Sequence, residues 1–232
     1  MDRSETSADI VLYMAPFTCA RVTAIALEEA GQSFETRPVR FMRGEHKSPE
    51  YRRLNPLGKV PALAIDGVVL TETVAILTYL KERFPEAHLL PEATSAADRA
   101  VQLADLCFCS STLHPIVTRI RLPAFFAGTV NAVTVKHAAE RSMDEYFQVV
   151  EDRLATGPWW YDAQWSVMDS YLYWVFWRVE GAGYDVTRFP RFLAHARAME
   201  RRPAVQRALA REDAVQASLE AEGNAFVPAR IG

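Results

Sequence analysis

The chain is poor in cysteine, carries no excess of positive charge and lacks any long apolar run, and each shortage removes a class of protein. Its three cysteines, Cys19, Cys107 and Cys109, are an odd number without metal-ligand spacing. Cys107 and Cys109 stand two apart on an expected helix and so point to different sides, which argues against a structural disulfide or a zinc centre. The formal net charge of -3 supplies no concentrated positive surface for a nucleic-acid backbone. No apolar run approaches the roughly 20 residues of a bilayer-spanning helix, so no membrane association is expected. The opening MDRSETSADI is polar and acidic, where a secretory signal would have a basic end and an apolar core. Residence in the cytoplasm follows as an expectation. Low-complexity tracts are missing too, and 50% of the 232 residues are hydrophobic, a composition able to bury a substantial core.

What is present divides into two textures. Up to about Pro85 the pattern alternates: DIVLYM reads as a strand, TCARVTAIALEEAG as an amphipathic helix closed by Gly31, and SFETRPVRF as a second strand. VPALAID and VVLT, separated by Asp66-Gly67, form an expected hairpin, and ETVAILTYLKERF returns to helical period. The first third is therefore β-α-β followed by β-β-α. Beyond a linker near residues 85 to 95, four segments carry helical periodicity to about residue 215. The expected organisation is an α/β domain over 1–86 and an all-α domain over 95–232. The helix at 167 to 179 is apolar on nearly all sides, which marks it as central and buried. Ser166 and Asp169 sit at the spacing of a capping box before it.

Polar residues interrupt the apolar stretch NPLGKVPALAIDGVVLTETVAILTYL. Taken singly, Pro61 reads as an edge-strand device and Glu72 as a carboxylate complementing a helix dipole. Cys19 reads as a small buried helix residue and His114 as a satisfied helix histidine.

Taken together, these segments resemble the cytosolic glutathione S-transferase family. The likeness rests on NPLGKVPAL followed by LTETVAILTYL, with VLYMAPFTCARVTAIALEEAG upstream and the aromatic helix with its S-x-x-D box downstream. The bacterial beta class looks closest: its members carry a proline three residues before a cysteine, as Pro16 and Cys19 do, and a histidine nine residues before a proline, as His114 and Pro123 do. The resemblance implies a thioredoxin-like N-terminal domain, a helical-bundle C-terminal domain, a homodimer, and glutathione as co-substrate with no metal. It also implies that Pro61 is cis, so that the Val60 N–H and C=O face outward to pair with the cysteinyl backbone of the tripeptide as an added strand would. Glu72 would accept from the ammonium of glutathione, and Thr73 with the free amides of its helix would donate to the adjacent carboxylate. Lys59 would meet the glycyl carboxylate, with Arg43 and His46 as further candidates.

A transferase of this kind must hold a thiol with pKa near 8.5 as a thiolate, a drop of about 2 units or roughly 2.7 kcal/mol. A helix terminus supplies roughly 0.3–1 kcal/mol, up to ~2 when partly buried, so a donor to the sulfur worth about 1.5–3 kcal/mol is needed as well. Many family members place a serine just before this proline; here the residue is Ala15. The resemblance then assigns catalysis to Cys19, as a donor or as a mixed-disulfide thiolate, with Thr18 beside it and His114 assisting. Tyr13, Phe17 and Tyr171 would line the pocket for an apolar electrophile, with Trp174 as a further contributor. Two departures limit the likeness: Cys107 replaces an asparagine common in the class, and Pro16 precludes a C-x-x-C dithiol cycle. The implied reaction is thiol conjugation. Glutathione-dependent monothiol reduction, thioether cleavage, isomerisation, and a non-catalytic ligand-binding role remain open beside it.

Overall fold

The computed structural model describes residues 10–225. The described residues divide into two compact units, one comprising 10–87 together with 206–225, the other His88–Val205.

The first unit is built on β1 (Val11–Met14), α1 (Ala20–Glu29), β2 (Glu35–Pro38), α2 (Pro49–Leu54), β3 (Ala62–Ile65), β4 (Val68–Thr71) and α3 (Thr73–Arg83). The strands lie in the order β2-β1-β3-β4, with β1 parallel to β2 and antiparallel to β3. Asp66 and Gly67, both at positive φ, turn the β3–β4 hairpin, the backbone that a two-residue loop with right-handed strand twist requires. The expected strand over SFETRPVRF stops at Pro38, and the chain passes into two 3₁₀ turns, Phe41–Arg43 and Glu45–Lys47. Proline offers no amide to continue a ladder. The helix α2 escapes a periodicity reading because it is only six residues long, although Ser48 caps it by accepting from Tyr51 N–H at 3.1 Å and Pro49 stands at its first turn.

The helix α1 is buried from Ala20 through Glu28, including the charged Arg21 and Glu28. Their partners come from α10 (Pro203–Ala221). Arg21 Nε and Nη2 fork the Glu212 carboxylate at 3.1 and 2.5 Å, with both side chains 2% exposed. Glu28 accepts from Arg207 at 2.6 Å and Arg211 at 2.5 Å. Burial pushes the Glu28 carboxyl upward, but those two hydrogen bonds outweigh it and hold the group below its ordinary value. Residues 206–225 group with the α/β unit, and α10 supplies counter-charges to Arg21 and Glu28, groups that are costly to bury unpaired.

The second unit contains α4 (Ala96–Cys107), a π-helical turn (Phe108–Leu113), α5 (His114–Arg121), α6 (Ala124–Ala127), α7 (Ala132–Arg153), α8 (Val167–Glu180) and α9 (Pro190–Glu200). Ser95 and Asp98 form a capping box on α4. Because the π turn joins α4 to α5 without a break, the run Ala96–Arg121 reaches 26 residues, and by length and composition alone it passes for a bilayer-crossing helix. It also carries Asp98, Arg99, Asp105, His114, Arg119 and Arg121, while Leu106, Cys109, Leu113, Ile116, Val117 and Ile120 are buried. Every residue of α8 from Val167 to Phe176 is buried, in agreement with its all-round apolar sequence. At its start Asp169 accepts from Ser166 N–H and Trp160 N–H, both at 2.8 Å, and lies 2.9 Å from His195 Nε2. Glu151 of α7 caps α9 by accepting from Arg191 and Phe192 N–H at 3.0 and 2.9 Å.

Removing the bidentate partner of Arg21 by Glu212→Ala is expected to cost about 3–5 kcal/mol of unfolding free energy, measured by denaturant titration; an unchanged midpoint would show the pair to be dispensable. A group whose folded pKa is depressed contributes stability above its unfolded pKa and loses it as pH falls through the folded value. For Glu28 the loss begins near the ordinary glutamate value of about 4.3. Glu28→Gln should lower stability at neutral pH and flatten its decline below that point, so that the variant and native curves converge in acid.

Candidate functional site

The turn from β1 into α1 and the segment leading into β3 come together in the first unit. Phe17, at φ 65°, bends the chain ahead of Thr18 and the N-cap Cys19. The Val60–Pro61 bond is cis, as expected. Cys19, 7% exposed, directs its thiol at the Val60 carbonyl at 3.7 Å. A cysteine at a helix mouth and the backbone of residue 60 thus share one place, although 41 residues separate them. Among the described residues the Val60 N–H donates to no other backbone group.

Lys59 and Val60 are held from behind by residues that the sequence reading passed over. Tyr51 Oη and Asn55 Nδ2 both donate to the Lys59 carbonyl, at 2.7 and 2.8 Å, and Asn55 Oδ1 accepts from Leu57 N–H at 3.1 Å. Burial, followed by the proximity of Tyr13 and Glu45, raises the Tyr51 pKa well above the usual phenol range, so this donor keeps its proton. The only signal for Asn55 was its place in NPLG, directly after a helix too short to recognise. The Lys59 side chain is exposed.

Thr18 and Tyr13 are placed differently from expectation. The single Thr18 proton goes to the Ala15 carbonyl at 2.7 Å, while Ala20 N–H approaches the hydroxyl at 3.4 Å. A hydroxyl committed in this way braces the turn and has no second proton for a sulfur. Tyr13 accepts from Arg37 Nη1 at 3.2 Å and meets Tyr51 edge-on at 6.3 Å. Through Tyr51 it joins the group that supports Lys59.

Glu72 begins α3 with φ 65° and ψ 119°, and its carboxylate does not cap the helix. Among the described residues that carboxylate forms no hydrogen bond or ion pair. Such a backbone costs an L-residue about 1–3 kcal/mol and persists where the surroundings impose it. Thr73, 5% exposed, follows at the first helical position, where backbone amides have no intrahelical acceptor. A charged acceptor therefore stands next to unpaired donors, a pairing suited to a zwitterion.

In the second unit the π turn delivers His114 to the start of α5. His114 Nδ1 lies 2.9 Å from Tyr171 Oη, and its ring sits 4.5 Å from that of Trp174. A π-helical turn displaces the side chains that follow it from their regular α-helical positions and often marks a functional site. Among the described residues no group of three or more His, Cys, Asp and Glu side chains converges as a metal site, and all three cysteines are free.

A mixed four-stranded sheet with a cis-proline ahead of β3, in a chain that also carries an all-helical unit, defines the class: a thioredoxin-like domain joined to a helical one. Residues 8–82 match the family model for the glutathione S-transferase N-terminal domain. The chain is 29% identical over 203 residues to glutathione S-transferase GstA of Escherichia coli O157:H7, covering 87% of this chain and 98% of that protein. It is 30% identical over 167 residues to glutathione S-transferase 3 of Zea mays, covering 70% and 75%. The structure of a sphingomonad glutathione S-transferase complexed with glutathione superposes with a TM-score of 0.77 at 32% identity, covering 88% of this chain and 98% of the other. Other matches are shorter: the chain spans 52% of glutathione S-transferase 1 of Dianthus caryophyllus and 44% of a maleylacetoacetate isomerase of Pseudomonas aeruginosa, the latter 40% identical over 95 residues. The chain belongs to the glutathione S-transferase family.

Replacing Glu72 with glycine, which adopts positive φ without penalty, is expected to raise unfolding free energy by about 1 kcal/mol while weakening glutathione binding. Denaturant titration and calorimetry check the two halves. A variant that binds as tightly as the native chain would remove the carboxylate from the site.

Proposed function

We propose that the protein conjugates the thiolate of glutathione to an apolar electrophile. The observation that carries this reading is the meeting of the Cys19 thiol, at the mouth of α1, with the carbonyl of Val60 beside a cis-proline. The Val60 N–H and C=O pair with the cysteinyl residue of glutathione, and because a carbonyl has two lone pairs, Val60 can accept from the ligand and from Cys19 together. This registers the ligand sulfur at the α1 terminus. Glu72 takes the γ-glutamyl ammonium, the amides of Thr73 and Val74 take its carboxylate, and Lys59 takes the glycyl end.

The helix terminus and the Cys19 S–H together lower the cost of the thiolate. The released proton passes to solvent, with His114 as the assisting base, and the sulfur then forms a bond to the electrophilic carbon as the leaving group departs. Catalysis is chiefly positioning and stabilisation of the anionic sulfur. Phe17, Tyr171 and Trp174 provide apolar surface for the second substrate. Isomerisation is the second reading, favoured by the short match to an isomerase; it needs the same thiolate but returns glutathione unchanged. Exposed apolar residues on β4 (Val68, Val69) and α4 (Val101, Leu103) support a homodimer, and the family supports a cytoplasmic setting.

Cys19→Ala is expected to lower kcat/KM for conjugation near neutral pH by about 10- to 100-fold, corresponding to a lost hydrogen bond to a charged group, and to raise the pKa of bound glutathione followed by thiolate absorbance. Cys19→Ser should retain most conjugation and abolish any mixed disulfide detected by mass. If neither variant alters activity, Cys19 has no part in the reaction. A single-chain mass by solution scattering at micromolar concentration would refute the dimer.

A further inference from the structure

We propose that Glu222, just past the end of α10, is a positioning residue for the glycyl end of glutathione, acting through Arg40 on the turns at 41–47. The inference rests on the glutathione reading above and adds to it a restraint from the far end of the chain.

Arg40 is the hub of those turns. Its carbonyl accepts from Arg43 N–H at 3.0 Å and Glu45 N–H at 3.2 Å, and its own N–H donates to the Glu45 carboxylate at 2.7 Å. Its guanidinium forks Glu222, Nε to Oε2 at 2.5 Å and Nη2 to Oε1 at 2.8 Å, while Nη1 lies 3.4 Å from the same Glu45 carboxylate. None of the residues from Phe41 to Lys47 is buried. The Arg40 fork, the Glu45 carboxylate and the stacking of His46 on Phe41 at 4.2 Å and 9° contribute to holding the turns.

The turns in turn abut the binding segment. A Cβ on Gly58 would lie 2.5 Å from the His46 carbonyl oxygen, so this contact is possible only with glycine there. Gly58 immediately precedes Lys59 and Val60. A displacement of Arg40 therefore reaches His46, Gly58 and Lys59 through backbone contacts. It reaches neither Glu72 nor Thr73, which lie beyond the β3–β4 hairpin. The glycyl half of the ligand should feel Glu222, and the γ-glutamyl half should not. Glu222 and Arg40 are each about one-third exposed, 34% and 32%, so the restraint is open to screening by salt. The charged neighbours of the pair are Glu45 on the turns and Arg43, whose charge acts on Glu222.

The test compares the full-length native chain with Glu222→Gln, titrated calorimetrically with glutathione and with γ-glutamylcysteine, which lacks the glycyl carboxylate. The dissociation constant for glutathione should rise about 2- to 5-fold in the variant, in line with loss of an exposed forked ion pair, and that for γ-glutamylcysteine should stay the same. The difference between native and variant should shrink as salt increases. In the unliganded variant, amides of residues 41–47 should exchange hydrogen faster. Equal weakening of both peptides, unchanged or tighter glutathione binding, or unchanged exchange at 41–47 would overturn the proposal. Heat from neither peptide with the native chain would overturn the glutathione reading itself, whereas native binding without a Glu222 effect would overturn only the restraint.

Discussion

The structure depends on how α1 is buried. Its N-terminus carries Cys19, and the helix is buried from Ala20 through Glu28, so Arg21 and Glu28 leave water with it. Arg21 and Glu28 then require partners of opposite sign within the protein, and α10 provides Glu212, Arg207 and Arg211. The cost of burying a charge without a partner, several kcal/mol per ion, is what draws the last helix onto the α/β unit. Just past its end stands Glu222, whose fork with Arg40 reaches the turns at 41–47. The burial of the first helix and the placement of those surface turns thus share one structural support.

A second constraint runs through the backbone of residues 55–61. Asn55 and Tyr51 hold the Lys59 carbonyl, Gly58 admits the His46 carbonyl, and the cis bond before Pro61 turns Val60 toward Cys19. Each contact uses main-chain atoms, so the side chains of Lys59 and Val60 are free to vary without disturbing the frame. The second unit follows a different principle. Its centre is α8, buried from Val167 to Phe176, and at helix ends Asp169 and Glu151 satisfy amides that the helices leave unpaired.

Much of the fold was legible from local pattern. Alternation exposed β1, β3 and β4, the Asp66-Gly67 pair located the hairpin, Gly31 closed α1, and the Ser166-Asp169 spacing announced α8. What escaped were segments where local and tertiary signals disagree: the 3₁₀ turns and α2 are too short to show a period, and the π turn at 108–113 lies inside a segment that reads as one continuous helix. Of the proposed site, likeness of motif named Cys19, Val60, Pro61, Glu72 and Thr73 as candidates. Tyr51 and Asn55 could not, because their role is to reach a backbone carbonyl, and a carbonyl leaves no mark on residue type.

By itself the sequence determined which elements form and which chemical groups stand at their ends, since capping, periodicity and turn preference act over a few neighbouring residues. Only the tertiary structure decided that the Cys19 thiol meets the Val60 carbonyl and that the charges of α10 reach Arg21 and Glu28. Those outcomes turn on where a donor or a counter-charge ends up across tens to nearly two hundred residues of chain, and the competition among partners at that range is settled by packing.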